Sequence, residues 1–165
     1  EAFGLPAFLH PTTVIGHSRL TKYYLQNLLG NPYETGIAAA HLIFGGVLDR
    51  FPGLTWVLPH AGGAFPYLFG RMQRGVEKRP ELANIKHGPV EYLRHFYYDT
   101  IGYHDAPLQY LKDLVGADRI MMGSDYCFPI AYERPVDVVT KHPGFSAEEQ
   151  ALVLEGNARR LLKLA

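Results

Sequence analysis

Three ionisable side chains stand directly behind apolar runs of this sequence. His10 follows Ala7-Phe8-Leu9, His60 follows Val57-Leu58-Pro59, and Asp125 follows Met122-Gly123-Ser124. Neutral imidazoles and a carboxylate are donor types that divalent first-row metals take. An imidazole that titrates near neutrality also suits proton transfer. A single histidine at a strand end is ordinarily a hydrogen-bonded structural residue. Two histidines and an aspartate in equivalent places form a constellation, and it reads as metal-assisted or acid–base chemistry.

Neighbouring features are weaker. The turn His60-Ala61-Gly62-Gly63-Ala64-Phe65-Pro66 has two readings, either backbone N–H groups offered to an anion or a plain tight turn. Arg71 lies eleven residues past His60 in a helical stretch, where a solvated charge is the simpler reading. His17, His41, His87, His95, His104 and His142 gain nothing from position, and His41, on an apolar helical face, reads as a core residue. Cys127 has no histidine at a nucleophile's spacing.

Strands must supply those equivalent places. Four apolar or β-branched runs, at 6–9, 54–58, 96–100 and 119–122, read as strands. Three are nearly continuous, as in a parallel sheet covered on both faces, and the third is more mixed. Helical patterns lie between them. One runs from Ile37 to Phe51, with Thr35 as its cap and Pro52-Gly53 as its stop. Another opens with Asp105 as cap and closes at Gly116. Ser146 to Glu149 has capping-box spacing, with Gly156 as terminator. A helix begun near Leu20 ends at Gly30-Asn31-Pro32, and 66–74 is helical. Strand–helix alternation means α/β, a parallel sheet with crossover helices, in a single domain over 1–165. Such folds place their chemistry at the carboxyl ends of the strands.

Composition excludes several classes. The 165 residues carry 16 basic and 16 acidic side chains, a formal net charge of zero, which gives no field for nucleic acid or an anionic membrane. Apolar residues make up 47%, enough for a core, yet no run approaches a membrane span. No basic-then-apolar leader opens the sequence, and a lone cysteine fits a reducing compartment. The expectation is a cytoplasmic enzyme, or part of one, with no nucleic-acid or membrane partner.

Longer motifs carry a resemblance. Phe44-Gly45-Gly46-Val47-Leu48-Asp49-Arg50-Phe51-Pro52, then His60-Ala61-Gly62-Gly63-Ala64-Phe65-Pro66-Tyr67 with Arg71, then Met122-Gly123-Ser124-Asp125-Tyr126-Cys127-Phe128-Pro129, and the ending Gly156-Asn157-Ala158-Arg159-Arg160-Leu161-Leu162 resemble the amidohydrolase-related metal-dependent decarboxylases. That family includes aminocarboxymuconate-semialdehyde and γ-resorcylate decarboxylases. The resemblance implies a TIM-like (β/α)8 barrel with a divalent metal, zinc first and manganese second. It makes His10, in Phe8-Leu9-His10-Pro11, a metal ligand and His60 the acid or base beside the metal. Asp125 becomes a ligand that also handles a proton. Arg71 binds a substrate carboxylate across a homodimer interface, and Phe128 lines the substrate.

The sequence departs from the family in three places. It lacks the strand-one His-x-His pair, and its first strand corresponds to the barrel's fifth, so it reads as the carboxyl-terminal half, strands five to eight. Thr12-Thr13 and Cys127 replace family residues, which points away from the semialdehyde as substrate. The expected reaction is nonoxidative decarboxylation of a small conjugated or aromatic carboxylic acid, with the missing amino-terminal half as a partner and this fragment inactive without it. The alternatives are hydrolysis of a lactone or amide, and a non-catalytic barrel fragment.

Overall fold

The computed structural model describes residues 2–164. Each of the four apolar runs contributes a strand: β1 (Ala7–Phe8), β2 (Trp56–Leu58), β3 (Tyr97–Asp99) and β4 (Ile120–Met121). They pair in parallel in the order β1-β2-β3-β4, with Ala7 beside Trp56, Val57 beside Tyr97 and Tyr98 beside Ile120. Parallel neighbours need long crossovers, and helices supply them. Between β1 and β2 run α1 (Asn31–Phe44) and α2 (Val47–Arg50), and between β2 and β3 run α3 (Phe65–Lys78) and α4 (Pro89–Tyr92). The β3–β4 crossover holds α5 (Asp105–Val115); α6 (Pro135–Thr140), α7 (Ala147–Ala151) and α8 (Asn157–Leu162) follow β4.

Period-two alternation divides the strand residues between two faces. Leu58, Tyr98 and Ile120 enter the main core with Ile43, Leu48, Phe65, Leu108, Leu111 and Val115. Val57, Tyr97 and Met121 form a second cluster with Leu161. Burying each such aliphatic side chain contributes about 1.5–3 kcal/mol. Burial on both faces therefore explains the continuous apolar runs of β2 and β4. In β1, by contrast, Phe8 is 64% exposed.

Helix ends differ from expectation at several points. Gly30-Asn31-Pro32 stops nothing, because a π-helical turn, Gln26–Gly30, leads straight into α1. Pro32 has no N–H, and the widened turn stands where the regular ladder loses that donor. Thr35 is consequently inside the helix and buried rather than its cap. Gly45 and Gly46 end α1 at Phe44, with Gly46 at φ +65°, so the pattern reaching Phe51 is two helices. Gly156 likewise lies within a continuous path, in a π turn, Leu152–Gly156, joining α7 to α8. His104, not Asp105, caps α5 by accepting from Ala106 N at 3.1 Å, and His41 is exposed rather than in the core. The capping box at Ser146 forms as expected: Ser146 Oγ accepts from Glu149 N, and the Glu149 carboxylate accepts from Ser146 N.

Candidate functional site

At the exit from β2 the chain makes a turn, His60–Gly62, that extended backbone does not allow. His60 and Ala61 both take left-handed conformations, at φ +59° and +52°. Side chains rarely adopt such angles without compensation. Asp99, at the end of β3, provides it. Its carboxylate accepts from His60 N at 3.0 Å, Ala61 N at 2.6 Å and Ile101 N at 2.9 Å. Further along, Gly62 N donates to Pro59 O, Gly63 N to His60 O and Ala64 N to Pro32 O. Every backbone N–H from 60 to 64 is therefore committed within the protein. The anion that the turn binds is its own aspartate, and the plain-turn reading stands.

Gly63 shows how closely this turn meets α1. Its φ is +58°, and a Cβ there would lie 2.1 Å from Pro32 O. Gly63→Ala is expected to destabilise by about 2–3 kcal/mol, from left-handed strain together with overpacking. Urea unfolding checks this, and an unchanged midpoint would mean that α1 is not held against the turn.

The turn aims the His60 ring at a shared opening. His60 Nδ1 lies 2.9 Å from Thr35 Oγ1, and the ring centroid lies 5.5 Å from that of His10. Burial, reinforced by nearby His10 and opposed by the Asp125 charge, pulls the His60 pKa down to about 4, so the ring is neutral at physiological pH. His10 is exposed and places Nδ1 2.8 Å from Pro11 O. A carbonyl accepts only, so Nδ1 donates to it, and in the neutral ring the lone pair lies on Nε2. Phe128 stacks on His10 with centroids 6.2 Å apart and planes 9° from parallel. Asp125 sits at φ +62° and accepts from the Tyr103 hydroxyl at 2.6 Å. Tyr103 packs on Tyr132, centroids 4.8 Å apart; burial and the Asp125 carboxylate push its phenol pKa up.

His60 and Asp125 line one cavity of about 580 Å³ whose walls include Tyr67, Tyr103, Tyr110 and Asn27. Thr12, Thr13 and Phe128 border an adjoining cleft that shares Asn27. Arg71 is exposed on α3 and lines neither space. His10, His60 and Asp125 thus gather on one side of the sheet, while Arg71 stands apart. A divalent metal suits these donors in kind: the open Nε2 of His10 and the carboxylate of Asp125. In number they make only part of a shell, since no group of three His, Cys, Asp or Glu side chains able to hold a metal occurs among the described residues.

The sequence reading gave no role at the site to three contributors: Asp99, Thr35 and Tyr103. For Asp99 the signal was available, an acid closing the third run. Thr35 was visible only as a helix cap, and Tyr103 carried no signal.

A four-stranded parallel β/α layer with imidazoles and a carboxylate along its carboxyl edge is the arrangement found in part of a β/α barrel. The amidohydrolase family model matches residues 1–164, and the chain belongs to that family. It is 34% identical over 166 residues to the 2-amino-3-carboxymuconate-6-semialdehyde decarboxylase of Dictyostelium discoideum, covering 99% of this chain and 46% of the relative. It is 32% identical over 144 residues to the 6-methylsalicylic acid decarboxylase of Penicillium expansum, covering 86% and 43%. The crystal structure of 5-carboxyvanillate decarboxylase from Sphingomonas paucimobilis superposes with a TM-score of 0.86 at 28% identity, covering 99% of this chain and 51% of that one. The chain spans about half the length of the relatives it matches, so its α/β layer is a fragment of a TIM-type barrel.

Proposed function

We propose that this chain forms the strand-five to strand-eight half of a metal-dependent decarboxylase acting on a small aromatic or conjugated carboxylic acid. The observation that carries the reading is the convergence of His10, His60 and Asp125 at the carboxyl edge of β1, β2 and β4. The decarboxylases among its relatives support the reaction type. A divalent metal, zinc first and manganese second, would be held by His10 and Asp125, with ligands from outside this chain completing the shell. Catalytic zinc sites generally use three protein ligands. When bound, it would orient and polarise substrate oxygens.

The chain's own residues do the rest. His60, neutral at physiological pH, would accept a proton from solvent or a substrate hydroxyl and pass it to the carbon that loses CO2, where the electron pair of the broken C–C bond forms the new C–H bond. Asp125, fixed by Tyr103, holds the metal side of the substrate and can share that proton. Tyrosine rings and Phe128 offer flat apolar surface to an aromatic acid. Arg71, exposed on α3, would bind a substrate carboxylate in a second subunit of a homodimer, as a bidentate partner. The lone Cys127 fits a cytoplasmic protein; among the described residues no helix is long and apolar enough to cross a membrane. Residues 1–165 act as one domain, inactive without the rest of the barrel.

The test is CO2 release by the full-length protein on a panel of aromatic and conjugated carboxylic acids, with and without a chelator. Release that stops on chelation and returns with zinc or manganese is the expected result. Ring opening of lactones or amides without CO2 would replace this reading with hydrolysis. Turnover by residues 1–165 alone would overturn the inactivity of the fragment.

A further inference from the structure

Thr35 is 1% exposed and stands on α1 beneath the catalytic turn. Its Oγ1 lies 3.1 Å from Asn31 O and 2.9 Å from His60 Nδ1. A hydroxyl has one proton to give. Asn31 O, a carbonyl, can only accept, so the Thr35 proton goes to it. Thr35 Oγ1 must then accept from His60, which puts the imidazole proton on Nδ1 and leaves Nε2 with its lone pair.

The contact is over-determined by its surroundings. Ala64 N donates to Pro32 O at 3.0 Å, and a Cβ at Gly36 would meet Ala64 Cβ at 3.0 Å. A Cβ at Gly63 would lie 3.0 Å from Thr35 Cβ, besides its clash with Pro32. Glycines at 36 and 63 let α1 approach the turn closely enough for a side chain as short as threonine to reach the ring.

We propose that Thr35 is a positioning residue: by giving its own proton to Asn31 O, it fixes His60 as the Nδ1–H tautomer and leaves Nε2 as the proton-accepting atom. This rests on His60 as the acid or base of the reading above. The tautomer itself is measurable without any reaction.

Thr35→Val keeps the shape of the side chain and removes the acceptor; Thr35→Ser keeps the acceptor. In the metal-free full-length protein labelled with 15N-histidine, His60 resonances are assigned by their loss in His60→Asn. The wild-type protein and Thr35→Ser are expected to show a protonated Nδ1 and a bare Nε2, and Thr35→Val to lose that pattern. In the metal-loaded protein, Thr35→Val is expected to lower kcat on the order of 10–100-fold with little change in KM, and Thr35→Ser to restore it. A wild-type His60 protonated on Nε2, or a Thr35→Val protein with unchanged tautomer, overturns the proposal. If the tautomer shifts as expected while the wild-type protein releases no CO2 from any acid, the decarboxylase reading falls and the tautomer assignment stands.

Discussion

Replacing His60 with asparagine in the full-length protein is expected to cut turnover by about 10²–10⁴-fold while metal content stays at the wild-type level. That range is what a positioned acid or base typically contributes. Asparagine is the informative substitution because it tolerates the left-handed backbone found here, at φ +59°. It therefore removes the imidazole without forcing the turn to move, and the unfolding midpoint should stay near wild type. Two properties suit this ring to the proposed proton transfer. Burial and His10 keep it uncharged down to about pH 4, and Asp125 shares its cavity. Steady-state rates near wild type would remove His60 from the mechanism, and loss of metal would recast it as a ligand.

The second large effect belongs to Asp99, which does not line the cavity shared by His60 and Asp125. Asp99→Ala is expected to cost about 3–5 kcal/mol, since three N–H donors lose their acceptor and an unsatisfied buried donor costs about 1–3 kcal/mol. Asp99→Asn is milder, because an amide oxygen can still accept from Ala61 and Ile101, but its NH2 end confronts His60 N. The pH dependence separates this group from others. Burial, only partly offset by the three N–H donors and aided by the Asp125 charge, lifts its pKa from 3.8 to about 6. A carboxyl with a raised folded-state pKa supports the fold fully below its unfolded value, here near pH 4. That support is lost as pH rises through 6. Urea midpoints of the wild-type protein should therefore carry a downward component between pH 4 and 6 that Asp99→Asn lacks. Equal slopes in the two proteins would mean that Asp99 titrates as an ordinary exposed acid.

Much of this architecture is legible in the residues. β2 and β4 announce themselves because both faces are buried, so the run is apolar throughout, and an ionisable residue after each run then marks the candidate edge. The helix ends are less legible. Glycines at 30 and 156 look like stops, yet each sits in a π turn whose wider register carries the helix past them. Thr35 looks like a cap because local spacing cannot reveal a partner 25 residues away. Asp99 was visible as an acid at a strand end, but its acceptance of N–H groups from the neighbouring crossover is a property of parallel pairing, not of spacing. Arg71 has no counterpart at the cavity, and only the proposed second subunit would give it one.

The parallel register has a consequence for how the site holds together. Neighbouring strands lie ~4.8 Å apart, so in a flat sheet β1 and β4, three strand spacings apart, would hold their terminal residues about 14 Å from one another. No single ion bridges that gap. For His10 and Asp125 to serve one ion, as proposed above, the sheet has to curl, and the side chains packed beneath it, Leu58, Tyr98 and Ile120 in the main core, would govern that curl. On that proposal, metal affinity would act as a strain gauge for the barrel wall. A core substitution that flattens the sheet should loosen the ion from a distance, while every residue that touches it remains unchanged.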